Sequence, residues 1–256
     1  MDAAPRPRKM RLDQLMVDRG LAPNRSKAQA LLLAGLVFSG ERRLDKPGSP
    51  VASDIPLELR DTAGHDYVSR GALKLLQGLE AFAIDPAGFV AADIGASTGG
   101  FTEVLLRQGA ARIYAVDVGH GQLAWSLRND KRVVVLERTN ARHLTKETIP
   151  EPLDLVVCDA SFISLRLVLP AVLALTRPGA MLVALIKPQF EAGREKVGKG
   201  GVVRDPAVHE EVCATIRDWL ESLPGWHVLG VAESPVRGPA GNVEFLIGAR
   251  REATSP

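Results

Sequence analysis

From about residue 69 onward, short apolar stretches alternate with segments whose apolar residues have helical spacing. The stretches predict strands at 89–94, 113–116, 133–136, 153–158, 181–186, 228–232 and 243–247, with helices at 70–82, 99–108, 121–129, 163–176 and 207–222. Strands that alternate with helices are typical of a doubly wound α/β fold with a parallel sheet. The last two strands are too close together for a helix between them, so we expect an antiparallel pair at the sheet edge.

A smaller α+β unit precedes this sheet. A helix near residues 12–19 and a second at 25–34, capped by Asn24 and closed by Gly35, are followed by short strands at 36–39 and 51–59. We therefore expect a disordered arm at 1–9, a small domain at 10–60, a linker at 61–66, a large domain at 67–249 and a flexible tail at 250–256.

Charge separates the two units. Residues 1–60 carry 11 Lys and Arg against 7 Asp and Glu, whereas residues 61–256 carry 21 against 23. A small basic domain is typical of nucleic-acid binding, although a solubility bias in a short segment gives the same pattern.

Several classes of protein are disfavoured by the sequence. Its longest apolar runs are far shorter than the roughly 18 residues of a membrane-spanning helix, and its N-terminus does not resemble a signal peptide. Cys158 and Cys213 lie in apolar settings that favour buried thiols in a reducing compartment, which predicts a cytoplasmic location. The five histidines have no ligand spacing, so we expect no structural metal.

A glycine-rich loop follows the first predicted strand of the large domain. Gly95, Gly99 and Gly100 separate that strand from the next helix, and Asp117 ends the second strand 22 residues after Gly95. This order is typical of a site that binds the ribose of an adenosine. Asp93, just before the loop, would repel phosphates and attract a sulfonium, which favours S-adenosylmethionine over NAD.

Four charged residues are predicted to meet at the ligand-binding edge of the sheet. Asp159 and Lys187 directly follow strands, Glu244 begins the antiparallel last strand, and Lys74 lies on the preceding helix. A charged residue after a strand is also simply where a chain enters solvent. Together, however, the four favour methylation of an alcohol, with Lys187 as general base because Lys74 and a sulfonium crowd it. Asp159 and Glu244 would hold the lysines.

Longer stretches of the chain resemble the TlyA family, whose members are described both as ribosomal RNA 2′-O-methyltransferases and as haemolysins. The resemblance lies at residues 67–75, 93–102, 115–125, 138–142, 161–165, 187–194 and 238–245. The order Lys-Asp-Lys-Glu resembles the FtsJ-like ribose methyltransferases. Residues 11–13, 25–29 and 35–37 resemble the RNA-binding domain of small-subunit ribosomal protein S-four.

The resemblance implies a Rossmann-like class I methyltransferase sheet behind a small RNA-binding domain, with Lys74, Asp159, Lys187 and Glu244 as the catalytic set. It also implies a group of residues around S-adenosylmethionine, with a neutral Asn140 where many such enzymes carry an acid. This group comprises Asp93, Gly95, Ala96, Ser97, Thr98, Gly99, Gly100, Phe101, Asp117, Val118, Asn140 and Ala141.

RNA would be bound mainly through its phosphates. The predicted contacts are Arg11, Arg25, Lys27, Arg42, Arg43, Lys46, Arg70, Arg194, Lys196, Lys199 and Arg204. The glycine-rich loop 194–204 is expected to be mobile and to close over RNA, the alternative being an ordinary solvated loop. Only two Tyr and three Trp are present, which favours folded ribosomal RNA or an assembled ribosomal subunit over a bare single strand.

Three other functions remain open. A membrane-lytic haemolysin is disfavoured because no spanning or obvious amphipathic insertion segment is found. An RNA base methyltransferase would typically carry a proline-rich motif after the fourth strand, where this chain has Asp159-Ala160-Ser161-Phe162. A non-catalytic RNA chaperone would not need the four charged residues.

Overall fold

The computed structural model describes residues 9–40, 42–59 and 67–253. The predicted linker 61–66, residues 1–8 of the predicted arm and residues 254–256 of the predicted tail lie outside the described residues. Lys9 already belongs to a strand, and Arg250 and Arg251 end another. The ordered structure therefore extends slightly beyond the boundaries expected at both ends.

The N-terminal unit packs two helices against short antiparallel strands. Asn24 caps the second helix as predicted, since its side chain accepts a hydrogen bond of 2.8 Å from the amide of Lys27. The core of the N-terminal unit contains Leu12, Met16 and Leu32. The elements are β1 (Lys9–Arg11), α1 (Leu12–Asp18), α2 (Arg25–Leu33), β2 (Val37–Ser39), β3 (Arg42–Arg43), β4 (Pro50–Ala52) and β5 (Glu58–Leu59).

The predicted strand 51–59 is wrong as a single element. β4 pairs with β1, whereas β5 pairs with β2 in a different small sheet. A turn at Ser53 and Asp54 separates them, and Pro56 has no amide hydrogen to donate to a strand ladder.

The large unit is the predicted doubly wound sheet. Seven strands lie in the order β11-β12-β10-β9-β6-β7-β8, and β12 is antiparallel to both of its neighbours. The elements are α3 (Gly71–Ala81), β6 (Val90–Ile94), α4 (Gly100–Arg107), β7 (Arg112–Val116), α5 (Trp125–Arg128), β8 (Val133–Leu136), β9 (Leu153–Cys158), α6 (Leu165–Leu173), β10 (Thr176–Ile186), α7 (Pro188–Glu191), α8 (Pro206–Ser222), β11 (Trp226–Glu233) and β12 (Phe245–Arg251).

Two predicted helices are shorter in the structure. The helix expected at 121–129 is only α5, because Gly121 has a φ of +69° and Ala124, the N-cap of α5, has a ψ of 141°, both outside the right-handed helical region. The helix expected at 163–176 begins at Leu165, where the hydroxyl of Ser164 accepts from the amide of Arg166. In both cases the residues lost from the start of the predicted helix belong to the loop that follows a strand, β7 in the first case and β9 in the second.

Two apolar layers cover the sheet. One face packs against α3, α4 and α5 through residues such as Leu75 and Leu105, and the other packs against α6 and α8 through residues such as Leu169 and Ile216. Five neighbouring strands of the sheet are parallel and so end at one common edge, where loops are free to form a site; these are β6, β7, β8, β9 and β10.

Candidate active site

The four predicted catalytic side chains meet at this edge. Asp159 lies between the two lysines, with 2.6 Å from its Oδ1 to Lys187 Nζ and 3.5 Å from its Oδ2 to Lys74 Nζ. Lys74 Nζ is also 2.7 Å from Glu244 Oε2. Two ammonium and two carboxylate groups thus form one chain of ion pairs with no net charge.

Lys74 is held as a cation. Burial alone would lower the pKa of Lys74, but Asp159 and Glu244 outweigh it and raise the pKa above its ordinary value. Burial would likewise raise the pKa of Asp159, yet Lys187 and Lys74 outweigh it and the pKa lies below its usual range. Lys74 is therefore poorly suited to accept a proton.

Lys187 occupies the other side of Asp159 and is buried. Its Nζ donates hydrogen bonds to the carbonyl oxygen of Asp159 at 3.0 Å and to the hydroxyl of Ser161 at 2.8 Å. Ser161 is exposed, so this lysine lies just beneath the surface. Among the described residues, Lys187 has one carboxylate partner, Asp159, whereas Lys74 has two.

The glycine loop is folded as its sequence requires. Gly95 and Gly99 have φ values of +83° and +99°, a region that favours glycine. A Cβ on Gly95 would lie 3.0 Å from the backbone of Ala160, and one on Gly99 would overlap Leu127. The loop therefore lies directly against the segment that carries Asp159.

The residues predicted to surround S-adenosylmethionine differ in exposure. Asp117 is half-buried, and its two carboxylate oxygens accept from the amides of Ser97 at 2.8 Å and Gly119 at 2.6 Å. Asn140 caps a short 3-10 turn, and Val118 is 73% exposed. Phe101 and Ala141 are buried, and Phe101 lines the cavity described below.

Asp93 lies deeper in the structure than a residue that borders the loop surface, and its predicted role toward the sulfonium stays a prediction. It is completely buried, and its Oδ2 accepts a hydrogen bond of 2.6 Å from the hydroxyl of Thr102 on α4. Burial raises the pKa of Asp93 to about 7, and Thr102 opposes the rise. The carboxyl group lies beneath the loop rather than beside its outer surface, because strand side chains alternate and this one points under α4.

A cavity of about 110 Å³ joins the glycine loop to the charged cluster. Its lining includes backbone of the loop, Lys74 and Asp159, and also residues of the N-terminal unit such as Gly35 and Arg43. Glycine backbone and the Asp159 carboxylate thus line the same cavity. Both structural units therefore border the candidate site.

Some of the basic residues predicted to bind RNA form ion pairs within the protein. Arg11 and Arg25 both bind the buried carboxylate of Asp13, with nitrogen to oxygen distances of 2.8 and 3.1 Å, and Lys196 pairs with Glu211. Arg42, Lys46, Arg194, Lys199 and Arg204 are exposed, and Lys27, Arg43 and Arg70 are half-buried. Loop 194–204 contains a 3-10 turn at Arg194–Lys196 and a bridge between Gly198 and Val202; its mobility stays a prediction.

Two site residues were not predicted from the sequence. Ser161 begins the family-like stretch 161–165, and its position two residues after Asp159 places it at the same edge of the sheet. Gly238 is the second: a Cβ there would overlap the carboxylate of Glu244. The glycine-rich stretch before Glu244 was the available signal.

Comparisons with known proteins agree with this architecture. Residues 67–251 match the model of the FtsJ-like methyltransferase family, and residues 10–54 match the S4 domain. A 16S/23S rRNA (cytidine-2'-O)-methyltransferase TlyA from Mycobacterium tuberculosis is 51% identical over 245 residues, covering 96% of this chain and 91% of that protein. The chain belongs to the TlyA family of FtsJ-like methyltransferases. Its family and its doubly wound fold with an N-terminal S4 domain are thus confirmed.

Two further relatives extend the family match. A protein named Hemolysin A from Brachyspira hyodysenteriae is 38% identical, with 93% of this chain and 98% of that protein covered. A solved structure from Streptococcus thermophilus superposes with a TM-score of 0.73 at 41% identity, over 97% of this chain and 90% of that one. Within the described ranges, no helix is long and apolar enough to cross a membrane, and no three His, Cys, Asp or Glu side chains cluster as a metal site.

Proposed function

We propose that this protein transfers the methyl group of S-adenosylmethionine to the 2′-hydroxyl of a cytidine in ribosomal RNA, in the cytoplasm. The observation that carries the proposal is the position of Asp159 between Lys74 and Lys187 beside the glycine loop. The cytidine and the ribose oxygen follow from the names of family members. The small number of aromatic residues favours an assembled ribosomal subunit as substrate.

The charged cluster supports a division of labour between the two lysines. Lys74 stays protonated between Glu244 and Asp159 and stabilises negative charge that develops on the attacking oxygen. Lys187 is the general base that accepts the proton of the 2′-hydroxyl as the oxygen attacks. Bound S-adenosylmethionine would supply a methyl group on a cationic sulfur, which leaves as a neutral thioether.

Other residues position the reactants. The glycine loop brings backbone close to the donor, and Asp117, at the end of β7, would accept hydrogen bonds from its ribose hydroxyls. Ser161 holds the amine of Lys187 at the surface. The exposed basic residues of the S4 domain and of loop 194–204 would bind RNA phosphates.

The direct test gives the full-length protein labelled donor with purified small and large ribosomal subunits. Methylation of a ribose 2′-oxygen makes the adjacent phosphodiester resistant to alkali, so the label should be recovered in a resistant dinucleotide that contains cytidine. Label on a base, or no transfer to either subunit or to free ribosomal RNA, would contradict the proposal. Leakage of liposomes that persists in Lys187→Ala would instead support a lytic function.

A further inference from the structure

The cavity beside the charged cluster has an excess of positive charge at its outer end. Its lining includes three arginines, Arg43, Arg70 and Arg237, and one acidic residue outside the charged cluster, Asp45. Lys74 and Asp159 also line the cavity, but they belong to the four-residue cluster with no net charge. Three guanidinium groups therefore face one carboxylate in a concave space.

Arg70 is the most constrained of these groups. Its Nε is buried without a hydrogen-bond partner among the described residues. Burial and the nearby Arg43 lower the pKa of Arg70, and Asp45 only partly opposes this. A guanidinium in such a place is stabilised by a bound anion, and its planar fork matches the geometry of a phosphate.

The position of Arg70 in the fold relates it to the reaction centre. It is the N-cap of α3, four residues before Lys74, so the two side chains emerge from the same face of the chain. In RNA, the carbon that bears the 2′-hydroxyl is bonded to the carbon that bears the 3′-phosphate. A ribose presented to the charged cluster must therefore place a phosphodiester within a few ångströms of it.

The S4 domain completes this end of the cavity. Gly35, just after α2, lies so close to Arg70 that a Cβ would be 2.5 Å from its Nη2. Arg43 pairs with Asp45 at 3.4 Å, and Asp45 also accepts from the amide of Ala240 at 3.3 Å, close to Glu244 in sequence. The two domains are thus in contact around the cavity.

We propose that Arg70 and Arg43 together bind the phosphodiester on the 3′ side of the ribose that is methylated. This inference rests on the proposed function and deepens it: the S4 domain contributes directly to the reaction site as well as to distant RNA contacts. The donor's carboxylate is the other anion that could occupy the same place, and the experiment separates the two.

The experiment measures methyl transfer by full-length Arg70→Ala, Arg43→Ala and Arg70→Lys to the subunit that wild type methylates. Arg217→Ala, which removes an exposed arginine of α8, is the matched control. We expect each alanine variant to lower kcat/KM for the subunit about tenfold or more. A plot of log kcat/KM against log salt concentration falls with increasing salt, and its slope should become shallower by about 1 in each variant. Arg70→Lys should keep the wild-type slope with an intermediate rate.

Donor affinity, measured by calorimetry, should stay within about twofold of wild type for Arg70→Ala and Arg43→Ala. The inference is overturned if both variants behave like Arg217→Ala, or if donor affinity falls while the salt slope is unchanged. Should Arg70→Ala disturb the packing around Gly35, seen as a lower melting temperature, Arg43→Ala alone decides. If wild type itself methylates no ribosomal RNA, the proposed function fails instead.

Discussion

Lys74 and Glu244 form a buried ion pair, with 2.7 Å between Nζ and Oε2, although 170 residues separate them in the chain. The pair joins α3 to the start of β12 and places one end of the charged cluster. Asp159 contacts both lysines and therefore links this pair to Lys187.

Removal of Glu244 should destabilise the fold strongly. Glu244→Ala leaves a buried ammonium with one carboxylate partner fewer, and loss of one member of a buried pair costs about 3 kcal/mol or more in the free energy of unfolding. Glu211→Ala, which breaks the more exposed pair with Lys196, is the matched control and should cost less than about 1 kcal/mol. Urea unfolding measures both, and equal losses would contradict the structural role.

Asp93 should make stability depend on pH. Its pKa is about 7 in the folded protein, against an ordinary value of 3.8. Between pH 3.8 and 7 the carboxyl group of Asp93 has lost its proton in the unfolded chain but keeps it in the folded protein. A rise in pH therefore stabilises the unfolded state relative to the folded state. The free energy of unfolding should therefore fall by about 2 to 3 kcal/mol from pH 5 to 7 and then level off.

Asp93→Asn is the control for this dependence, since it removes the ionisable group and keeps its shape. Urea unfolding of both proteins across the pH range gives the difference directly. If wild type and Asp93→Asn change in parallel between pH 5 and 7, the buried carboxyl is not the source.

Asp205 should stabilise α8 through its N-cap. Its Oδ1 accepts a hydrogen bond of 2.9 Å from the amide of Ala207, and Pro206 occupies the first helical position. Asp205→Ala should lower the free energy of unfolding by about 1 kcal/mol. Asp218→Ala, at an exposed position within the same helix, should change it by less than half as much; a comparable loss in both would argue against the cap.

The sheet and most of the catalytic cluster were predictable because local sequence determines them. Asp159 and Lys187 directly follow apolar strands, and the shared edge of parallel strands brings such residues together. Asp205 and Pro206, a cap residue followed by a proline, likewise mark the start of the predicted helix 207–222. Family resemblance added the expectation that these groups act in methyl transfer.

Features that depend on packing between distant segments could not be predicted. The burial of Asp93 under α4, and the binding of Arg25 on α2 to Asp13 on α1, follow from how elements stack rather than from their spacing. The contact of Gly35 with Arg70 needs the position of one domain against the other. No pattern in a single chain reports that position.

Lys187→Ala removes the group that we propose accepts the proton of the ribose hydroxyl. Single-turnover methyl transfer to ribosomal subunits at saturating donor should fall by about 10²- to 10⁴-fold, while donor affinity stays close to wild type. Lys146→Ala, at an exposed lysine outside the site, should keep the wild-type rate. Transfer by Lys187→Ala within tenfold of wild type would exclude Lys187 as the general base.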